Sequence, residues 1–223
     1  MIRKPTFRSL RQSRFLLLLI ALVLLLLVSP FLGDSLIHEA YFVLLSALVM
    51  LSAVRIASEN RVQQIVALVL AVPWLAMSLW GLFQEHTNLT IAASLLFAVF
   101  GVYVLGLVLG RIISAPEVDF DIILGAVAAY LLIAIIWTTT YIIIYNFDPQ
   151  AFALIEGETR PLFHQFLYFS LTTLTTLGYG DITPVHPFAQ VWATLEAVVG
   201  TLYMALLVAR LVGMYHSQKP RAR

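Results

Sequence analysis

Residues 172–181 read TTLTTLGYGD, a polar stretch in a chain of 223 residues that is 61% hydrophobic. Threonines, two glycines, a tyrosine and an aspartate stand here between two apolar segments. A simple membrane anchor has no use for these residue types, and the active site of a soluble protein is rarely flanked by such apolar sequence. The function of the stretch therefore has to be inferred from its surroundings.

The composition of the chain assigns it to the membrane. Only 11% of the residues are charged and the mean hydropathy is +0.94, which is too apolar for a soluble domain of this size. The chain has no cysteine, which excludes disulfide bonds and thiolate metal sites.

Six apolar stretches have the length of a membrane-spanning helix, which needs about 20 residues. They lie at residues 15–32, 36–57, 62–83, 89–113, 120–145 and 188–214. A shorter amphipathic stretch, residues 161–177, is too short to span the bilayer and has the length of a re-entrant helix. The predicted fold is an all-α integral membrane protein with six transmembrane helices and a re-entrant segment between the fifth and the sixth.

The first apolar stretch also fits a secretory signal peptide, because it follows five basic residues: Arg3, Lys4, Arg8, Arg11 and Arg14. Its apolar core is long, however, and no A-x-A-like cleavage site follows it. We therefore interpret this stretch as a true first span. Both interpretations place Asp34 outside the cell.

The basic residues indicate how the helices are oriented. With six spans and a cytoplasmic N-terminus, twelve of the thirteen lysines and arginines lie in cytoplasmic segments, and only Arg160 lies outside. This asymmetry follows the positive-inside rule. We predict a multi-pass protein of the plasma membrane with both termini in the cytoplasm.

The first four helices carry no ladder of charged residues. A voltage sensor needs several arginines along one helix, because each charge that crosses the field contributes about 2.3 kcal/mol per 100 mV. The fourth stretch contains a single arginine, Arg111, at its predicted cytoplasmic end. Residues 1–115 are therefore predicted to be a four-helix region without conventional voltage sensing, and residues 215–223 to be a short basic cytoplasmic tail.

The C-terminal part of the chain contains, in order, an outer helix, a short amphipathic helix, the sequence T-L-G-Y-G-D and an inner helix. This arrangement resembles the pore domain of potassium channels, whose filter is commonly written T-V-G-Y-G-D. The glycines stand at alternate positions, where they allow the backbone to align carbonyl groups around an ion. The resemblance implies a pore domain at residues 116–214, with outer helix 120–145, pore helix 161–175, filter 176–180 and inner helix 188–214. Potassium ions would bind to the filter carbonyls of Thr176, Leu177, Gly178, Tyr179 and Gly180.

The resemblance also implies roles for the residues around the filter. Asp181 would stand at the outer mouth, and Tyr179 would point away from the pore axis. Leu177 departs from the commoner valine, so the packing behind the filter would differ. Tyr168 and Phe169 occupy the positions of paired tryptophans in many relatives and would form an aromatic cuff.

Glu196 is an ionisable residue inside a predicted span, two turns into the inner helix. Such a residue is costly in lipid and indicates a functional site. We predict that it bonds to pore-helix threonines such as Thr172 and braces the filter; a response to proton concentration is the alternative. Thr159 is predicted to cap the pore helix, with Pro161 near its first turn.

Gly200 lies 20 residues after Gly180, at the spacing where many potassium channels keep a hinge glycine in the inner helix. A hinge that opens an inner gate is one interpretation, and close helix packing is the other. Thr201 and Met204 are predicted to line the central cavity because of their positions in the family pattern.

One filter segment cannot surround an ion, and a potassium filter uses four. We therefore predict a homotetramer that conducts potassium ions passively and selectively, with three further copies of the chain and the lipid bilayer as its partners. No nucleic acid and no cofactor is predicted, and no motif of a membrane enzyme is present in the sequence. A non-selective cation channel and a non-conducting membrane scaffold or sensor are the alternatives.

Overall fold

The computed structural model describes residues 13, 15–28, 36–58, 60–82, 87–117, 119–158 and 160–217. The N-terminal basic residues, Thr159 and the tail beyond residue 217 lie outside this part, so the predictions made for them stay predictions. The described residues form seven α-helices: α1 (Leu16–Val28), α2 (Leu36–Ala57), α3 (Arg61–Gly81), α4 (Thr87–Ser114), α5 (Phe120–Phe147), α6 (Leu162–Leu174) and α7 (Pro187–Ser217).

Five described helices, α2 to α5 and α7, are long and apolar enough to cross a membrane. The predicted helical membrane protein is therefore confirmed. Helix α1 has 13 described residues, which span about 20 Å against a hydrocarbon core of about 30 Å. Because residues 29–35 lie outside the described part, a sixth span that begins with α1 stays a prediction.

The helices of the C-terminal half begin and end at clear local signals. Asp119 caps α5, since its carboxylate accepts a hydrogen bond from the N–H of Ile122 at 2.8 Å. The helix stops before Pro149, which opens a single 3₁₀ turn at Pro149–Ala151. Helix α7 begins at Pro187, where the missing N–H costs little.

Apolar packing attaches the first four helices to α5. One continuous core contains buried side chains from α1, α4 and α5, among them Leu22, Phe100 and Leu132. Only residues 115–119 connect α4 to α5, and the two helices pack side by side in the same chain. The N-terminal helices and α5 therefore share one apolar core.

A short two-stranded antiparallel sheet was not predicted from the sequence. Its strands are β1 (Phe152–Ala153) and β2 (Thr183–Pro184), with Phe152 opposite Pro184. The carbonyl oxygen of Ala151 also accepts the N–H of Val185 at 2.8 Å. These bonds connect the loop before α6 to the loop that follows the TLGYGD stretch.

Candidate functional site

Helix α6 lies between α5 and α7 and ends at the TLGYGD stretch. It begins at Leu162 with Pro161 as the residue before its first turn, and no side chain caps it in the described structure. Its last turn closes with the N–H of Thr175 bonded to the carbonyl oxygen of Leu171 at 3.1 Å. The helix is too short to span a bilayer, as the sequence predicts, and the carbonyl oxygens of Thr172 and Thr173 in its last turn accept N–H groups from the stretch that follows.

The backbone of residues 176–180 has a positive φ angle at every second residue. Thr176, Gly178 and Gly180 have φ values of 60°, 53° and 79°, whereas Leu177 and Tyr179 do not have positive φ. A positive φ is uncommon for a threonine and costs little for a glycine. Because an inverted φ at every second residue cancels the alternation of an extended chain, neighbouring peptide groups turn to the same side.

Hydrogen bonds to α6 decide which side that is. The N–H groups of Leu177 and Gly178 both donate to the carbonyl oxygen of Thr172, at 2.8 and 3.1 Å. In a trans peptide the carbonyl group points opposite to the N–H of the next residue. The carbonyl oxygens of Thr176 and Leu177 therefore point away from α6, toward the exposed side of the chain.

The carbonyl oxygens of residues 176–180 accept no hydrogen bond from any other described residue. All five residues are exposed in the single chain, including the apolar side chains of Leu177 (55%) and Tyr179 (66%). An unpaired backbone oxygen at membrane depth is tolerated only where protein or a watery path surrounds it. These carbonyl oxygens are therefore open to ligands from outside the described part of the chain, such as water, a cation or other protein.

Tyr168 and Asp181 form a bonded pair beside the stretch. The hydroxyl of Tyr168 donates to Asp181 Oδ2 at 2.6 Å, and its ring stacks on Tyr179 with centroids 6.2 Å apart. This hydrogen bond is the largest cause that holds the pKa of Asp181 below its usual range; N–H donors at Asp181 and Ile182 and the charge of Arg160 act in the same direction. Asp181 therefore remains ionised at the exposed end of the stretch.

Two predicted contacts around the stretch differ in the structure. Phe169 does not pack beside the stretch as an aromatic cuff would, and Thr172 does not bond to Glu196. The ring of Phe169 is buried against Tyr141 and Phe152, with centroids 5.0 and 5.9 Å away. Thr172 Oγ1 donates to the carbonyl oxygen of Phe169 at 3.0 Å, and only the backbone oxygen of Thr172 contacts the stretch. Neighbouring residues of a helix point about 100° apart, so Tyr168 and Phe169 face different elements.

Glu196 contacts Ser170 and Tyr141, and the predicted bond to Thr172 is wrong. Its Oε1 lies 2.5 Å from Ser170 Oγ, and its Oε2 lies 2.5 Å from the Tyr141 hydroxyl. The sequence analysis missed both partners. The one sequence feature that could have pointed to these partners is that each places a hydroxyl group in an apolar helix. Many membrane helices contain such hydroxyl groups without a functional role.

Gly200 permits a close approach between α7 and the end of α6. A Cβ atom at this position would lie 2.1 Å from the carbonyl oxygen of Leu174, closer than any real contact. The close-packing interpretation of Gly200 is therefore observed, and a hinge stays a prediction. Thr201 and Met204 are exposed in the single chain, which leaves their predicted place in a central cavity untested.

Two further residues of α7, missed by the sequence analysis, connect this helix to the rest of the chain. The hydroxyl of Tyr203 donates to the carbonyl oxygen of Ala126 on α5 at 2.6 Å. Arg210 Nη2 donates to the carbonyl oxygens of Ile113 and Ala115 at 3.0 and 3.2 Å. These acceptors lie at the C-terminal end of α4, where a cation interacts favourably with the helix dipole.

The described residues contain no group of three or more acidic or histidine side chains that could hold a metal ion. The oxygens of the TLGYGD stretch are its backbone carbonyls, the hydroxyls of Thr176 and Tyr179 and the carboxylate of Asp181, all on exposed residues.

Comparison with known proteins finds matches for the C-terminal part of the chain. Residues 129–216 match a family model described as ion channel. Two-pore potassium channel 5 of Arabidopsis thaliana is 32% identical over 78 residues, which are 35% of this chain and 18% of that protein. No solved structure is a significant match.

Two further relatives come from different organisms. The potassium voltage-gated channel protein shk-1 of Caenorhabditis elegans is 42% identical over 63 residues, which are 27% of this chain and 12% of the relative. The inward rectifier potassium channel Kirbac3.1 of Paramagnetospirillum magnetotacticum is 32% identical over 62 residues, covering 28% of this chain and 21% of the relative. The matched segments thus cover about a fifth or less of the relatives' lengths. Residues 129–216 therefore match an ion channel family, and segments of this region are similar in sequence to potassium channels.

Proposed function

We propose that this chain conducts potassium ions selectively and passively through a homotetrameric pore. The observation that carries the proposal is the row of carbonyl oxygens at residues 176–180, which accept no hydrogen bond from other described residues. The backbone there has a positive φ angle at every second residue. Such carbonyls replace the water shell of a dehydrated cation. The matched relatives are named as potassium channels, which supports potassium as the permeant ion.

A tetramer completes the site because one segment gives the ion ligands from one side only. Leu177, Tyr179 and one face of α7 expose apolar side chains in the single chain, which neighbouring copies would cover in the proposed tetramer. Three further copies around a common axis supply this cover and place four carbonyl rows face to face. Asp181 of each copy would then add negative charge at the outer mouth, where cations enter.

The proposed channel lacks a conventional voltage sensor. Among the described residues of α1 to α4, the arginines are Arg55, Arg61 and Arg111, which stand at helix ends rather than along one helix. Voltage sensing needs several charges inside the field. We propose that α1 to α4 support the outer helix, and that the protein lies in the plasma membrane with both termini in the cytoplasm.

The test is the reversal potential of the purified full chain in planar bilayers, with potassium on one side and sodium on the other. We expect a reversal close to the potassium equilibrium potential. Robust current that reverses near zero would overturn selectivity and leave a non-selective cation channel, with Leu177→Val as the first variant to examine. Protein that is inserted as a tetramer and passes no current at any voltage would favour the scaffold alternative.

A further inference from the structure

The carboxyl group of Glu196 joins α7 to the two helices packed against it. Glu196, Ser170 on α6 and Tyr141 on α5 are each 0% exposed. Oxygens of Glu196 lie 2.5 Å from Ser170 Oγ and 2.5 Å from the Tyr141 hydroxyl. Ser170 Oγ lies 2.8 Å from a third oxygen, the backbone carbonyl of Ala134 on α5. Three short oxygen–oxygen contacts therefore form one chain across the three helices.

Each of these contacts needs a hydrogen atom between its two oxygens. The hydroxyls of Tyr141 and Ser170 supply one hydrogen each, and the carbonyl oxygen of Ala134 can only accept. If Glu196 were a carboxylate, Ser170 would face two acceptors with one hydrogen. A protonated carboxyl group supplies the third hydrogen, and every contact then joins a donor to an acceptor.

We propose that Glu196 is a neutral carboxylic acid that accepts a hydrogen bond from Tyr141 and donates one to Ser170, which in turn donates to Ala134. The surroundings agree with a neutral group, because a buried carboxylate needs a cation or several donors. The ion pair found among the described residues is Arg160–Glu158 and does not involve Glu196. The titratable side chains that face Glu196 are Tyr141 and Tyr130, both on α5, while α6 offers the hydroxyl of Ser170.

The proton on Glu196 fixes α6 in position. Ser170 lies just before Thr172, whose carbonyl oxygen holds the N–H groups of Leu177 and Gly178. A bond that pins Ser170 to both α5 and α7 therefore also positions the start of the TLGYGD stretch. Glu196 is a positioning residue in this sense, and its effect on conduction rests on the proposed function.

Infrared spectroscopy of the purified full chain in lipid tests the protonation directly and needs no ion current. The difference spectrum of wild type minus Glu196→Gln at neutral pH should contain the carbonyl stretch of a protonated carboxylic acid. Carboxylate stretches in its place would overturn the proposal. Glu117→Gln is the matched control for the exchange itself, since Glu117 is exposed and lies outside the contacts of Glu196, and its difference spectrum should differ from that of Glu196→Gln.

Conduction through the same variants tests the positioning role. Glutamine keeps an acceptor for Tyr141 and a donor for Ser170 and adds one further N–H, so Glu196→Gln should hold potassium current within about twofold of wild type. Glu196→Ala leaves the buried Tyr141 hydroxyl without its acceptor and removes the bond between Ser170 and α7, so potassium current should fall at least about tenfold. A loss in Glu196→Gln as large as in Glu196→Ala would overturn the proposal, because it would mean that the charge is required. If wild type itself passes no current, the proposed function fails and the infrared result still decides the protonation of Glu196.

Discussion

The interior of the N-terminal helices and the interior of the channel domain are stabilised by different interactions. Seven of the nine buried polar side chains among the described residues lie between Thr138 and Glu196, and the other two are serines of α2. Helices α1 to α4 instead contribute mainly aliphatic and aromatic groups to the shared core. Apolar packing tolerates exchanges of similar volume, whereas buried hydrogen bonds tolerate few changes. Substitutions in the channel domain should therefore cost more than equally sized changes in the N-terminal helices.

The largest effect should follow from Gly178→Ala. An L-residue at the left-handed φ of 53° costs about 1–2 kcal/mol, and the proposed tetramer carries four copies of this strain in one filter. No neighbouring atom lies within 4 Å of the added Cβ in the single chain, so the strain is in the backbone. We expect potassium-selective current to disappear, measured as reversal potential and conductance in planar bilayers.

The matched control for this variant is Gly157→Ala. Gly157 also has a left-handed φ, 76°, and no atom within 4 Å of a built Cβ, but it lies in the loop before α6. Both variants should lower the free energy of unfolding by a similar amount per chain. If Gly157→Ala abolished selective current as fully as Gly178→Ala does, the filter would not be the reason for the loss.

Gly200→Ala should destabilise the channel domain. The new methyl group would meet the carbonyl oxygen of Leu174 at 2.1 Å, so α6 and α7 must separate. Overpacking of this kind costs about 1–3 kcal/mol per chain. The melting temperature of the purified protein should fall, together with the fraction that remains assembled in detergent.

Gly106→Ala in α4 serves as its control, since no atom lies within 4 Å of a Cβ built there. This change should leave stability unchanged or raise it by up to about 1 kcal/mol. Equal melting temperatures for Gly200→Ala and wild type, combined with a changed open fraction, would support the hinge interpretation over close packing.

Arg210→Gln should weaken the contact between the N-terminal helices and the end of α7. The guanidinium group donates to the carbonyl oxygens of Ile113 and Ala115, and a bond from a charged donor contributes about 1.5–3 kcal/mol. Because Arg210 is partly exposed, the loss should lie at the lower end of this range and appear as a lower melting temperature. Arg61→Gln, at the exposed start of α3, should have no such effect; equal losses in both variants would argue that total charge, not this contact, matters.

Sequence reasoning predicted the features that local chemistry determines. The long apolar helices follow from hydropathy and length. The positive φ angles at Gly178 and Gly180 follow from the residue type, and the resemblance to potassium channels agrees with the sequence comparisons. The contacts that the sequence did not predict join residues far apart in the chain. Glu196 is 26 residues from Ser170 and 55 from Tyr141, and each strand of the short sheet has two residues, too few to show an alternating pattern.

The smallest expected effect concerns the charge of Asp181 beside the proposed filter. Asp181 has a pKa below its usual value of 3.8, and the hydroxyl of Tyr168 is the largest cause. A carboxyl group with a lowered pKa keeps its charge above that pKa and loses it as the pH falls through it. Tyr168→Phe removes the hydroxyl and should raise the pKa of Asp181 toward 3.8. Current should then decline at a higher pH than in wild type when the solution facing Asp181 is acidified.

Tyr145→Phe is the matched control for the loss of a hydroxyl, because Tyr145 packs its ring on Phe166 and lies on α5 rather than beside Asp181. Its acid titration of current should coincide with that of wild type. Asp181→Asn should remove the acid-dependent step altogether in both backgrounds, since no carboxyl remains to titrate. If Tyr168→Phe titrated like wild type while Asp181→Asn abolished the step, Asp181 would still supply the charge. The partner that lowers its pKa in the assembled protein would then be a group other than Tyr168, such as the neighbouring Arg160.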